Sequence, residues 1–136
     1  IRLLGRNISA GAQIAHDLHK ITGRRLLNFD WTPANLAKAS QDCALVVNCT
    51  PIGMAPTIHN TPWFPTVPFP PNIFVYDLVY NPIETMLVRQ ARSKGITAYT
   101  GLGMLVQQGA LSFTLWTGHH PPRTVMLEAA ERELND

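Results

Sequence analysis

The chain has 136 residues, with 11 Lys and Arg against 9 Asp and Glu, which gives a net charge of +2. So small a positive charge excludes a nucleic-acid-binding surface that depends on basic residues. Because 46% of the residues are hydrophobic and 15% are charged, the chain can form a core and is not disordered. No apolar run approaches the roughly 18 residues that span a bilayer, and no signal peptide opens the sequence. We therefore expect no membrane partner and a cytoplasmic location.

The cysteine positions bear on disulfide bonds and metal sites, and the first residues bear on whether the chain is part of a longer protein. Cys43 and Cys49 are six positions apart and belong to no metal-binding pattern, so we expect neither a disulfide framework nor a metal site. The chain begins with Ile, and Ile1–Leu4 already has the composition of a buried strand. We therefore expect a part of a longer protein, forming one domain over residues 1–136 without an internal linker.

Short apolar segments alternate with helical patterns along the chain. The near-continuous apolar segments are typical of strands buried on both faces of a parallel sheet; they are Ile1–Leu4, Leu26–Phe29, Ala44–Val47, Ile73–Tyr76 and Ile96–Tyr99. The helices predicted between and after them run from a cap at Ser9 to Gly23, from Thr32-Pro33 to about Ser40, over Glu84–Lys94, over Gly103–Trp116, and over about Thr124–Leu134. This alternation predicts an α/β fold with right-handed crossovers.

One long segment, Cys49–Asn72, interrupts the alternation. It contains seven of the 11 prolines and shows no periodicity. A loop of this length after a strand in an α/β fold is usually functional, so we expect part of it to lie at a ligand-binding crevice.

Polar and glycine-containing segments follow four of the predicted strands, at the edge where open α/β sheets bind ligands. They are Gly5–Asn7, Asn48–Met54, Asp77–Pro82 and Gly101–Gln108. Arg6 has no acidic neighbour, which favours pairing with the 2′-phosphate of NADP; the alternative is an ordinary solvated arginine. A Gly-x-Gly-x-x-Gly loop is missing, so a pyrophosphate-binding loop would have to precede Ile1.

Several of these residues have both a functional and a structural interpretation. Asn48–Met54 can bring the backbone close to a flat ligand or form an ordinary turn. Tyr80 can present its phenol to a substrate, whereas a structural role is favoured for Asp77. Gln108 is a plausible partner for a polyhydroxylated ligand.

Three motifs, taken together, resemble a known family. Asn-x-Thr-Pro-x-Gly-Met, Asp-x-x-Tyr-x-Pro-x-x-Thr and Gly-x-x-Met-Leu-x-x-Gln-Gly-Ala are matched by Asn48–Met54, Asp77–Thr85 and Gly101–Ala110. This pattern resembles the C-terminal, NADP-binding domain of the shikimate dehydrogenase family. The resemblance implies a Rossmann-like doubly wound parallel sheet, incomplete because its first strand and Gly-rich loop are missing, with C-terminal helices.

The resemblance also implies an activity and a set of binding residues. The activity is reversible hydride transfer between NADPH and 3-dehydroshikimate, giving shikimate. The implied contacts to NADP come from Arg6, Asn7, Asn48, Thr50, Pro51, Leu78, Gly101, Met104 and Leu105, and those to substrate from Tyr80 and Gln108. The family's catalytic Lys and Asp belong upstream of Ile1, so we expect no catalytic residue here and no activity from this chain alone.

Two alternatives remain open at this point. One is a quinate/shikimate dehydrogenase that uses NAD or NADP, and the other is a nucleotide-binding paralogue without catalytic activity.

The resemblance also implies that the family's central strand is missing from this chain, which would leave two open sheet edges. Open edges invite pairing with another chain, so we expect the chain to form homo-oligomers.

Overall fold

A computed structural model describes residues 1–135 and divides the chain into two compact units. The first unit consists of Ile1–Cys43 and Trp63–Pro70. The second consists of Ala44–Pro62 and the residues from Pro71 onward. The single-domain organisation expected from the sequence stays a prediction.

The first unit is a pair of parallel strands with two helices. Its elements are β1 (Arg2–Gly5), α1 (Ile8–Thr22), β2 (Leu27–Asp30) and α2 (Pro33–Ser40). β1 and β2 pair in parallel, from Arg2 opposite Leu27 to Gly5 opposite Asp30. α2 begins where Thr32-Pro33 predicts, because the Thr32 side chain accepts a hydrogen bond from the Asn35 amide.

The start of α1 differs from the prediction. Asn7, not Ser9, caps this helix, and its Oδ1 accepts hydrogen bonds from the Ala10 amide at 3.0 Å and from the Ser9 hydroxyl at 3.0 Å. Both residue types cap helices well, and here Asn7 has the extended backbone of a cap whereas Ser9 lies inside the first turn. The predicted end at Gly23 is confirmed, since its φ of +67° is left-handed.

Part of the proline-rich segment belongs to the core of the first unit. Trp63 is buried, its Nε1 donates to the Val67 carbonyl at 2.8 Å, and its ring stacks on Phe69 with 4.2 Å between centroids. Phe64 lies against Trp31 with 4.9 Å between centroids. Residues 63–70 therefore have a packing role that the sequence pattern did not predict.

The second unit is a three-stranded parallel sheet with three helices. Its elements are β3 (Leu45–Asn48), β4 (Phe74–Asp77), α3 (Met86–Ser93), β5 (Thr97–Tyr99), α4 (Leu102–Thr117) and α5 (Arg123–Asn135). The strand order is β3-β4-β5. Val46, Val75 and Ala98 are neighbours across the sheet, and Asn48 lies opposite Asp77 at its carboxyl end.

The two faces of this sheet differ in burial. Val75 and Ala98 are buried on the face against which α3 packs, and the buried α3 residues are Leu87, Val88 and Ala91. The opposite face carries apolar side chains that are exposed in this chain, among them Leu45, Val47, Phe74 and Tyr99. Apolar residues on both faces are typical of parallel strands. Self-association of the chain stays a prediction.

The sequence predicted the number and order of these elements. All five predicted strands and all five predicted helices are present in residues 1–135, and each strand begins one residue later than predicted. The predicted helix over Glu84–Lys94 begins at Met86, because Thr85 caps it and the Thr85 Oγ1 accepts from the Val88 amide. Within residues 1–135, no helix has the length and apolar character needed to cross a membrane.

Candidate functional site

The carboxyl ends of β3 and β4 are joined by two buried polar side chains. Asn48 Nδ2 donates to Asp77 Oδ1 at 2.9 Å, and the two residues are 5% and 0% exposed. In addition, the Leu78 amide donates to the Asn48 carbonyl at 3.1 Å. The first residues of two of the predicted motifs are therefore in direct contact.

Asp77 is the acceptor for three donors from different parts of the chain. Besides Asn48, the Val79 amide donates to Oδ1 at 3.0 Å, and the Thr85 hydroxyl donates to Oδ2 at 2.6 Å. Thr85 is 1% exposed and also caps α3. Asp77 thus fixes the loop between β4 and α3 at both ends, which confirms the structural role favoured from the sequence. The sequence analysis missed Thr85, although this residue ends the second motif and has the side chain of a helix cap.

The side-chain amide of Asn48 is fully used inside the protein. Oδ1 accepts from the Thr50 amide at 3.0 Å and from the Thr50 hydroxyl at 2.7 Å. Nδ2 donates to the Ile52 carbonyl at 3.3 Å as well as to Asp77. A carboxamide has two donor hydrogens and one oxygen with two lone pairs, so all four positions are occupied. The cofactor contact expected of Asn48 stays a prediction.

The loops that follow β3 and β4 are interlocked. The Ala55 amide donates to the Asn81 carbonyl at 2.9 Å. Gly53 is buried with a φ of +93°, and a Cβ added there would lie 3.1 Å from the Asn60 carbonyl oxygen and 3.8 Å from the Thr85 side chain. The motif glycine is needed because no other residue adopts this backbone conformation without strain.

The third motif meets the second at Gly101. Its amide donates to the Val79 carbonyl at 3.2 Å, and a Cβ added at Gly101 would lie 2.3 Å from the Leu78 carbonyl oxygen. Such a distance is a steric overlap, so the backbone of residues 78–79 can approach this closely only against a glycine. Gly101 is buried immediately before α4, which brings the start of α4 to the end of β4.

The other candidate residues of the second unit differ in accessibility. Thr50, Pro51, Tyr80, Met104 and Gln108 are exposed, and Leu78 and Leu105 are half-buried. The Tyr80 hydroxyl, on a side chain that is 40% exposed, forms no hydrogen bond with another described residue. The Gln108 side chain folds back on its own helix, and its Nε2 donates to the Leu105 carbonyl at 2.9 Å.

Arg6 and Asn7 belong to the first unit. Both follow β1 and are exposed. Arg6 makes no ion pair with any residue from 1 to 135, whereas the Asn7 oxygen is used in capping α1. No group of His, Cys, Asp and Glu side chains suited to a metal ion occurs within those same residues.

Comparison with known proteins agrees with the motifs. Residues 101–131 match the family model described as "Shikimate 5'-dehydrogenase C-terminal domain". A shikimate dehydrogenase (NADP(+)) from Desulforamulus reducens is 35% identical over 134 residues, which are 98% of this chain and 46% of the relative. The chain is related to the C-terminal part of the shikimate dehydrogenases.

Solved structures of shikimate dehydrogenases have the same fold. One is a crystal structure of a shikimate dehydrogenase in complex with NADP+, which matches this chain with a TM-score of 0.83 at 28% sequence identity. The match covers 98% of this chain and 46% of the crystallised chain. The shikimate dehydrogenase of Thermus thermophilus in complex with NADP(H) and shikimate has a TM-score of 0.63 at 33% identity, covering 96% of this chain and 54% of its own. The chain thus has part of a Rossmann-like α/β fold, and it spans about half the length of the curated relatives it matches.

The contact at Gly101 predicts a large difference between two glycines of the same motif. Gly101→Ala is expected to lower the free energy of unfolding by about 1–3 kcal/mol, because the new methyl overlaps the backbone of residues 78–79. A Cβ at Gly103, within α4, has nothing within 4 Å, so Gly103→Ala is expected to raise the free energy of unfolding by about 0.5–1 kcal/mol. Urea denaturation followed by circular dichroism measures both, and equal effects would contradict this account of Gly101.

Proposed function

We propose that this chain is the cofactor-binding part of an NADP-dependent shikimate dehydrogenase, which reversibly reduces 3-dehydroshikimate to shikimate with NADPH. The observation that carries the proposal is the junction of the three motifs at the carboxyl ends of β3 and β4, through Asn48, Asp77 and Gly101. Ligands of open α/β sheets bind at this edge. The sequence similarity to an NADP-dependent relative, in an alignment that covers 98% of the chain, supports the same conclusion.

The accessible residues fit the parts of this cofactor. NADPH supplies the hydride, and the protein must hold the nicotinamide ring against the substrate carbonyl and exclude water. Half-buried Leu78 and Leu105 and exposed Met104 offer apolar surface for a flat ring. The guanidinium of Arg6, which makes no ion pair within residues 1–135, suits a 2′-phosphate. The exposed residues Asn7, Thr50 and Pro51 and the buried residues Asn48 and Gly101 complete the proposed cofactor-binding set.

The substrate contacts are proposed to come from two polar side chains. The Tyr80 hydroxyl, on an exposed side chain, forms no hydrogen bond within the part of the chain that the structure describes, and the Gln108 side-chain oxygen is not used in the bond to Leu105. Both groups suit a ligand that carries several hydroxyls. Reduction also places a proton on the substrate oxygen, and we propose that this proton comes from outside the present chain.

The remaining proposals concern the setting of the enzyme. A dehydrogenase of small molecules needs no nucleic-acid or membrane partner, and the proposed location is cytoplasmic. We also propose that residues 1–136 act as one cofactor-binding domain and that the isolated chain forms homo-oligomers.

The proposed activity can be measured directly. The enzyme that contains this chain is expected to oxidise NADPH on addition of 3-dehydroshikimate, which is followed by the loss of NADPH absorbance. The 136-residue chain alone is expected to show no turnover. An enzyme that is folded and binds NADPH but leaves 3-dehydroshikimate unchanged would contradict the proposal, and turnover by the isolated chain would contradict the assignment of the proton donor elsewhere.

Arg6 is expected to select the cofactor. Arg6→Ala in the enzyme should raise the KM for NADPH by about 10- to 100-fold, since a charge-assisted pair with phosphate is lost. The KM for NADH should change by less than about twofold, because NADH has no 2′-phosphate. Arg25→Ala removes the same charge from another exposed site of the first unit and should leave both KM values unchanged. Equal effects of Arg6→Ala on the two cofactors would show that Arg6 does not bind the 2′-phosphate, and would favour an enzyme that uses NAD as well.

Gln108 is expected to act on the substrate and not on the cofactor. Gln108→Ala should weaken shikimate binding by about 3- to 10-fold, the loss of one hydrogen bond, with NADPH affinity unchanged. Gln107→Ala is the matched control, because Gln107 is the adjacent exposed glutamine of α4. Calorimetric titration with each ligand measures these affinities. An equal loss for NADPH would instead assign Gln108 to cofactor support.

A further inference from the structure

The side chain of Asn28, in β2, is bonded to the first turn of α1. Its Nδ2 donates to the carbonyl of Ile8, the first residue of this helix, at 2.8 Å. A main-chain carbonyl can only accept, so the atom of Asn28 that faces it is the nitrogen. Asn28 itself is paired in the sheet, opposite Leu3 of β1. The bond therefore ties the start of α1 to a strand that follows it in the chain.

A glycine makes room for this side chain on the helix. Gly11 lies in α1, and a Cβ added there would overlap Asn28 Oδ1 and would lie 2.9 Å from Asn28 Cγ. A larger residue at position 11 would therefore turn the Asn28 side chain away from the Ile8 carbonyl. Glycine inside a helix is less stable than alanine, so the close approach of Asn28 gives Gly11 a structural reason.

The first turn of α1 in turn fixes Asn7, the residue that precedes the helix. The Asn7 side chain accepts from the Ala10 amide and from the Ser9 hydroxyl, each at 3.0 Å. The Asn7 carbonyl accepts from the Gly11 amide at 3.1 Å. With three hydrogen bonds to this turn, the backbone of Asn7 moves together with it.

The backbone of Arg6 is held from both sides. Before it, the Gly5 carbonyl accepts from the amide of Trp31, just after β2, at 3.1 Å. After it, Asn7 is fixed through α1 to Asn28. The Arg6 side chain itself is exposed and makes no ion pair within the part of the chain that the structure describes. A side chain that extends from a fixed backbone has less freedom to lose when it binds an anion.

We propose that Asn28 is a positioning residue for Arg6 and thereby strengthens binding of a nucleotide that carries a 2′-phosphate. Asn28 acts through α1 and does not touch the ligand. The inference rests on the proposed function, in which Arg6 pairs with that phosphate. Because NADH has no 2′-phosphate, loss of the hydrogen bond between Asn28 and Ile8 affects NADPH and spares NADH.

The KM values of the enzyme that contains this chain test the proposal. Asn28→Ala is expected to raise the KM for NADPH by about 3- to 10-fold and to change the KM for NADH by less than about twofold. Gly11→Ala should give the same result, because the new methyl displaces the Asn28 side chain from the opposite partner of the contact. A purely structural role would instead change both KM values or neither.

Asn35→Ala is the matched control. The Nδ2 of Asn35, in α2, also donates to a main-chain carbonyl of the first unit, that of Asp30, at 3.1 Å. This variant loses a hydrogen bond of the same kind at the other helix, so both KM values should stay unchanged. A selective rise in the KM for NADPH as large as that of Asn28→Ala would overturn the proposal, because any loosening of the first unit would then have the same effect.

A double substitution shows whether Asn28 acts through Arg6. When Arg6→Ala has already removed the guanidinium, adding Asn28→Ala should raise the KM for NADPH by less than about twofold more. A further rise as large as in the wild-type enzyme would overturn the proposal, because Asn28 would then act independently of Arg6.

Other results separate this inference from the proposed function. If Arg6→Ala raises the KM for NADPH and a folded Asn28→Ala enzyme does not, the inference is overturned and the proposed function stands. If Arg6→Ala leaves this KM unchanged, the proposed contact to the 2′-phosphate fails and the inference fails with it. Circular dichroism shows which variants fold, and Gly11→Ala decides alone if Asn28→Ala does not.

Discussion

The hydrogen bond between Asn48 and Asp77 is the interaction on which the candidate site depends. A buried carboxylate has no hydrogen to donate and must be given donors, and leaving a buried polar group without a partner costs about 1–3 kcal/mol. Asp77 obtains its donors from the end of β3, from the chain just after β4 and from the cap of α3. The conformations of both loops at this edge of the sheet are therefore coupled to one side chain.

The motifs that relate this chain to a family have structural roles of their own. Asn48, Asp77 and Thr85 form hydrogen bonds with one another or with neighbouring backbone, and Gly53 and Gly101 allow backbone segments to come close. None of these five roles requires a ligand. The proposed ligand contacts, in contrast, include exposed side chains that follow the same strands, such as those of Thr50 and Tyr80. A match of such motifs is consequently strong evidence of a shared fold. The function has to be assigned from the residues that this fold places at the site.

The sequence predicted those elements whose signal is local. Continuous apolar runs predicted all the strands of residues 1–135, and Thr32-Pro33 and Gly23 predicted helix ends, because each of these signals acts within a few neighbouring residues. Prediction failed where several residues could fill one role. Asn7 and Ser9 both suit a cap, and only the geometry of the first turn decides between them. The packing of Phe64 against Trp31 joins parts of the chain that are distant in sequence, which no local pattern contains. The full hydrogen-bonding of Asn48 is likewise a property of four groups brought together by folding.

The two compact units differ in the chemistry that they offer a dinucleotide. The first unit offers a cation, Arg6, that is free of ion pairs within residues 1–135, and a cation suits the charged end of NADP. The 50–52 turn of the second unit offers acceptors and no free N–H, and the apolar residues Leu78, Met104 and Leu105 belong to the same unit. On the proposed function, a change of cofactor from NADP to NAD would begin with substitution of Arg6, since Arg89 and Arg92 of the second unit both pair with Glu84.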